Sequence, residues 1–113
     1  MAQALKSADV FTAVAGAHRR EILDTLIEGE KTVGAIVTDL SMSQPQVSKH
    51  LRVLSTAGLV RCRADGRRRL YRLDATHLRP LLQWMAKYEL VVHGQMDRMD
   101  DYLKDLQEQG GHL

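Results

Sequence analysis

The stretch "SQPQVSKHLRVL", residues 43–54, decides how this chain folds. Ser43 followed three residues later by Gln46 is a capping-box pattern, and Pro45 suits a first helical turn, where its missing N–H is not needed. Val47, Leu51 and Leu54 recur at i, i+4 and i+7, so they stack on one face of a helix and point inward. Gln46, Ser48, Lys49 and Arg52 fall on the other side, facing water or a partner. Gly58 ends the helix.

Upstream, "TVGAIVTDL" (32–40) reads as a short helix with Val33, Ile36, Val37 and Leu40 inward, joined to the first stretch by the tight connection "SMS". "AHRREILDTLIEG" (17–29) places Ile22, Leu23, Leu26 and Ile27 on one face and stops at Gly29. A first helix runs from about Ser7 to Ala15, burying Val10, Phe11 and Val14, and Gly16 interrupts it. Downstream, "LVRCRADGRRRLYRLD" (59–74) alternates like a hairpin. Val60, Cys62 and Ala64 share one face of its first strand, and Arg69, Tyr71 and Leu73 share one face of its second. Asp65-Gly66 supplies the turn. From about Leu78 to Gln107 the apolar positions 78, 81, 85, 88, 92, 96, 99, 103 and 106 keep to three- and four-residue steps, a long amphipathic helix. Pro80 belongs in its first turn, and Gly94 is a weak point in its middle.

The 113 residues make one domain with a modest core. Of these, 44% are hydrophobic and 27% charged, a globular balance, and no apolar run approaches the ~18 residues of a membrane span. No secretory segment opens the chain, and one cysteine, Cys62, fits a reducing compartment, so the expected location is cytoplasmic. The net charge is only +2, but six arginines (Arg61, Arg63, Arg67, Arg68, Arg69 and Arg72) fall within twelve residues with Asp65 as the only acid among them. Acids collect instead near the C-terminus. Such a basic middle points to a polyanionic partner.

Two short helices joined by a tight turn, the second polar and basic outward, then a basic hairpin, make a winged helix-turn-helix. The expected fold is therefore mainly α with a small β-hairpin. A helix fits the major groove, where Gln, Lys and Arg donors meet base edges and phosphates, and an arginine-rich hairpin lies along the adjacent backbone. The long last helix carries an apolar stripe that a core this small cannot cover, so a second copy is expected there. Leu81, Met85, Tyr88, Val92, Met96, Met99, Leu103 and Leu106 are its expected two-fold interface, with Leu5 and Phe11 nearby. Two recognition helices roughly one DNA turn (~34 Å) apart would read an inverted repeat.

"SQPQVSKHLRVLSTAGLV" followed by "RRRLYRL" resembles the helix-turn-helix and wing of the ArsR/SmtB winged-helix repressors, and "AVAGAHRREILDTLIEGEKTVGAIVTDL" is similar to that family's opening. Gly16, Ala17 and His18 depart from its frequent Asp-Pro-Thr, and Ser41 stands at a turn position where glycine is frequent. The resemblance implies that Gln44, Gln46, Ser48, Lys49 and Arg52 face the groove and that Arg67, Arg68 and Arg69 sit at the wing tip. It implies one domain over 1–113: a DNA-binding core at about 8–74 with its wing at 59–73, and a dimerisation helix at about 75–108. His50, beside the buried stripe, packs, reaches a phosphate or reads a base.

Many members of that family sense metals, and this chain departs from both metal patterns. Where the family has a C-V-C-D-L cysteine pair, "IVTDL" places Ile36 and Thr38, which removes the soft ligands. On the last helix, Asp74 and His77 have the wrong spacing, and His93 is followed by Met96 rather than by a glutamate. No cofactor or metal is expected. Cys62 reads as a small core residue of the wing strand. The expected function is a homodimeric transcriptional repressor of double-stranded DNA, autoregulatory, with an undefined inducer. The competing reading is a winged-helix module that binds protein. No nucleophile–base arrangement or phosphate loop points to an enzyme.

Overall fold

The computed structural model describes residues 9–110, and for residues 95–102 and 107–110 only the backbone. The expectations for Leu5, Met96 and Met99, and for a helix start at Ser7, lie outside what is described. The chain divides into two compact units, one ending at Leu81 and the other beginning at Leu82.

In the first unit, α1 (Val10–Ala15) starts at Asp9, whose carboxylate accepts from the Thr12 N–H at 2.8 Å. Its last carbonyls are capped from the next helix, α2 (Ala17–Leu26). Arg19 Nε donates to Ala13 O at 2.7 Å and Arg20 Nη1 to Val14 O at 2.7 Å. Gly16 makes room for this, because a Cβ there would stand 2.6 Å from the Arg19 guanidinium carbon. Ala13 and Val10 are buried in α1, whereas Phe11 is 40% exposed and Val14 half-buried. Ile27 lies just past the end of α2, 71% exposed, so the inward stripe ends one residue earlier than its periodicity implies.

A two-residue strand, β1 (Lys31–Thr32), leads into α3 (Val33–Leu40), which Thr32 caps by accepting from the Ala35 N–H at 3.1 Å. Only Ile36 of its four apolar positions is fully buried; Val33, Val37 and Leu40 pack at the core's edge. Lys31 Nζ donates to Thr25 at 2.7 Å and Glu28 at 2.6 Å and bridges to Asp39, tying β1 to α2 and α3. Ser41 turns the corner in the left-handed region at φ 53°, the conformation that favours glycine. The next helix, α4 (Gln44–Thr56), buries Val47, Leu51 and Leu54 against Ile22 and Ile36 in one core.

The wing is β2 (Val60–Asp65) and β3 (Arg68–Leu73). It is part of a three-stranded antiparallel sheet in the order β1-β3-β2, with Lys31 opposite Tyr71 and Thr32 opposite Leu70, so the expected hairpin gains an edge strand. Asp65 pairs with Arg68, which moves the turn one residue on from its predicted place, to Gly66 and Arg67. Gly66, at φ 63°, occupies the first central position, where a hairpin turn of the II′ kind uses glycine. A one-turn 3-10 helix, Ala75–Leu78, then precedes α5 (Arg79–Gly110), with Pro80 as its second residue. α5 runs through Gly94 without a break for 32 residues, about 48 Å. From Leu82 to Val92 its described side chains are all exposed, including Met85, Tyr88 and Val92.

Candidate nucleic-acid interface

α4 is built to hold a fixed outward face. Ser43 Oγ accepts from the Gln46 N–H at 3.3 Å while Gln46 Oε1 accepts from the Ser43 N–H at 3.1 Å. These reciprocal bonds satisfy donors that the start of a helix leaves open. Gln46 therefore spends its amide oxygen on the cap and keeps its amide nitrogen as the group it can offer elsewhere. Gln44, Gln46, Ser48, Lys49 and Arg52 are all exposed. At about 100° per residue, Lys49 and Arg52 lie opposite the buried stripe, while Ser48 and Gln46 stand on its two flanks. Among the described residues neither Lys49 nor Arg52 has a carboxylate within ion-pair distance, and no large apolar side chain of α4 is exposed.

His50 packs rather than faces outward. It is half-buried, its Nδ1 is enclosed without a hydrogen-bond partner, and its ring lies 5.9 Å from that of His18 in α2. Burial pushes the His50 imidazole below its ordinary pKa, and the cationic neighbours Arg19, His18 and Lys49 push it the same way.

The wing handles its charge differently. One face carries Arg61, Arg63, Arg68 and Arg72 around Leu70, with Arg61 directly across from Arg72. Carboxylates answer three of these guanidinium groups. Arg61 Nε reaches Asp74 at 2.7 Å, Arg63 makes a two-point pair with Glu30 at 2.8 and 2.9 Å, and Arg68 Nη2 reaches Asp65 at 2.9 Å. The Arg63 hydrogen bonds hold the Glu30 carboxyl below its ordinary range, and Arg61 does the same to Asp74. Arg67 in the turn, Arg69 and Arg72 have no carboxylate partner among the described residues. Of the three arginines expected at the tip, Arg67 and Arg69 are thus open and Arg68 is half committed. Sequence reasoning missed Glu30 altogether, since only the β1-β3-β2 order brings it within reach of Arg63.

Cys62 shares a strand face with Val60, as the alternation implies, but it is exposed rather than part of the core. The core covers only the first residue of β2, and Arg69 Nη1 lies 4.0 Å from the thiol. Among the described residues no three His, Cys, Asp or Glu side chains converge as a metal ligand set. Asp74 is engaged by Arg61 and by the Thr76 N–H, with His77 Nδ1 at 3.8 Å. No described helix is long and apolar enough to cross a membrane.

On α5, Leu81 is half-buried, and Met85, Tyr88, Val92, Leu103 and Leu106 are exposed. Trp84, Met85, Tyr88 and Val92, with Glu89 and His93, line a shallow apolar groove in which the Trp84 and Tyr88 rings stand 5.0 Å apart.

Residues 17–61 match the family described as "Bacterial regulatory protein, arsR family". The chain is similar to the HTH-type transcriptional regulator Rv2034 of Mycobacterium tuberculosis, 48% identical over 63% of this chain and 66% of that one, just under two thirds of its length. It is also similar to the transcriptional repressor SdpR of Bacillus subtilis, 34% identical over 71% of this chain and 89% of that one. Among solved structures, the homodimeric winged helix-turn-helix DNA-binding domain Mb0332 of Mycobacterium bovis is 38% identical. It aligns over 76% of this chain and 83% of that one with a TM-score of 0.61.

Proposed function

The chain belongs to the arsR family of bacterial regulatory proteins, and from that premise we propose that it is a homodimeric repressor reading an inverted-repeat operator. Regulation of transcription through a winged helix-turn-helix is the shared role of its relatives; the residues and the assembly are this reading's own. The observation that carries it is the outward face of α4, rigidly capped, free of large apolar groups and bearing two cations without acid partners. Such a face suits a polyanion and does not suit an apolar protein partner.

In this reading Gln44, Gln46 and Ser48, near the start of α4, meet base edges, since recognition helices contact bases through their N-terminal residues. Lys49 and Arg52 meet phosphates, and Arg67, Arg69 and the partly committed Arg68 follow the backbone from the wing. Residues 1–113 act as one domain whose last helix pairs with a second copy through Leu81, Met85, Tyr88, Val92, Met96, Met99, Leu103 and Leu106. The dimer works in the cytoplasm, blocks promoter access and controls its own operon. It is not an enzyme and uses no cofactor or metal.

Fluorescence anisotropy against DNA from upstream of its own gene, with a scrambled duplex alongside, tests this. Selective binding that Lys49→Ala with Arg52→Ala weakens at least tenfold is the expected result. Equal affinity for both duplexes, unmoved by that substitution, would assign the face to another partner.

A further inference from the structure

Glu30 stands just before β1, and β3 lies between β1 and β2, so Arg63 on β2 reaches Glu30 across the middle strand of the sheet. Leu70 of β3 lies opposite Arg63 on one side and opposite Thr32 on the other. Two parallel N–H···O bonds at 2.8 and 2.9 Å join the guanidinium and carboxylate, the geometry that fixes an arginine most tightly. The same face has a reason to need an acid. Arg61 and Arg72 are directly opposed across the hairpin, and like charges so placed destabilise a sheet. Asp74 answers Arg61 at 2.7 Å, leaving Glu30 to answer the inner position.

We propose that Glu30 is a positioning residue for DNA binding, holding Arg63 as a strut across the wing and leaving phosphate contact there to Arg67, Arg69 and the partly committed Arg68. The inference rests on the DNA-reading function proposed above. Arg63 then adds nothing to the count of neutralised phosphates, although the sequence places it within the arginine cluster. Removing the Glu30 charge while keeping its shape would release Arg63 toward the backbone of the duplex.

The salt dependence of binding reads this count, because its slope changes by about 0.9 for each phosphate contact on a duplex. The intact chain is titrated with the upstream and scrambled duplexes across a salt series, as wild type, Glu30→Gln, Arg63→Gln and the double variant. Circular dichroism melting of each accompanies the titrations. The Arg63→Gln slope should equal that of wild type. Glu30→Gln should steepen it by about 0.9 per protomer, and the double variant should restore it. A shallower slope for Arg63→Gln would mean that Arg63 already touches phosphate and would overturn the proposal. So would a steepening by Glu30→Gln that persists without Arg63, which would make Glu30 only a repelling charge. Lowered melting points with four equal slopes would reduce the pair to a structural one and overturn it as well. If Glu30→Gln does not fold, Glu30→Ala takes its place: a slope steepened by about 0.9 per protomer is expected, and an unchanged slope overturns the proposal. Wild type that fails to discriminate the duplexes removes the DNA reading and this inference with it; selective wild type with the wrong variant slopes removes this inference alone.

Discussion

α4 and α5 are both amphipathic helices, but among the described residues only α4 hides its apolar face. α4 buries Val47, Leu51 and Leu54 almost completely and shows glutamine, serine, lysine and arginine. α5 leaves its apolar stripe in solvent as well: Tyr88 is 51% and Val92 49% exposed. Scattered apolar groups are ordinary on a surface, but a contiguous stripe along a helix marks a contact surface. The same periodicity in the sequence therefore serves two ends. In α4 it satisfies the protomer's own core and frees a polar face for a polar partner. In α5 it leaves an apolar face that a second α5 can cover.

The contrast can be broken at either helix. Leu51→Ala removes a side chain that is 1% exposed, and should cost about 2–5 kcal/mol of stability, read as a lower denaturant midpoint. Met85→Glu should do something different, placing a charge in the proposed interface and leaving the α4 core intact. We expect at least tenfold weaker self-association by analytical ultracentrifugation with the melting point of the first unit kept. A loss of folding equal to that of Leu51→Ala would mean that the α5 stripe packs within its own chain.

Smaller effects sharpen the account of α4. Ser43→Ala removes the cap acceptor and should cost about 1 kcal/mol by chemical denaturation, with a matching loss of affinity for the operator. His50 gives a pH signature. Its folded pKa lies below the ordinary value of 6.5, so its contribution is present in full above pH 6.5 and is lost as pH falls through that value toward the folded pKa. Wild type should lose thermal stability between pH 7.5 and 5.5, and His50→Asn should lose less. Equal losses would place the acid sensitivity elsewhere.

Much of this was legible in the sequence because it is local. The capping box spans four residues, the stripe of α4 eight, and both stand where the spacing puts them. Ser41 was legible too, as a non-glycine at a turn that glycine would favour, and it adopts φ 53°. What escaped was set by distant chain. β1 has two residues and no alternation to read, so its pairing with Tyr71 and Leu70 is visible only once the fold exists. Cys62 shares a face with buried Val60, yet the hairpin runs out past the core that would cover it. The wing's carboxylate partners are hidden from the sequence for the same reason. Glu30 and Asp74 lie outside the arginine cluster in sequence, and the fold brings them back to it. The number of arginines in a segment is thus not the number available to a partner.

The most direct test of the central claim is hydroxyl-radical footprinting of wild-type protein on its own upstream region. The account predicts two symmetric protected half-sites, their centres about 10 base pairs or a multiple of one turn apart, with protection lost on a scrambled sequence. Diffuse protection independent of sequence, or a single unpaired site, would contradict a dimer that reads DNA through two copies of α4.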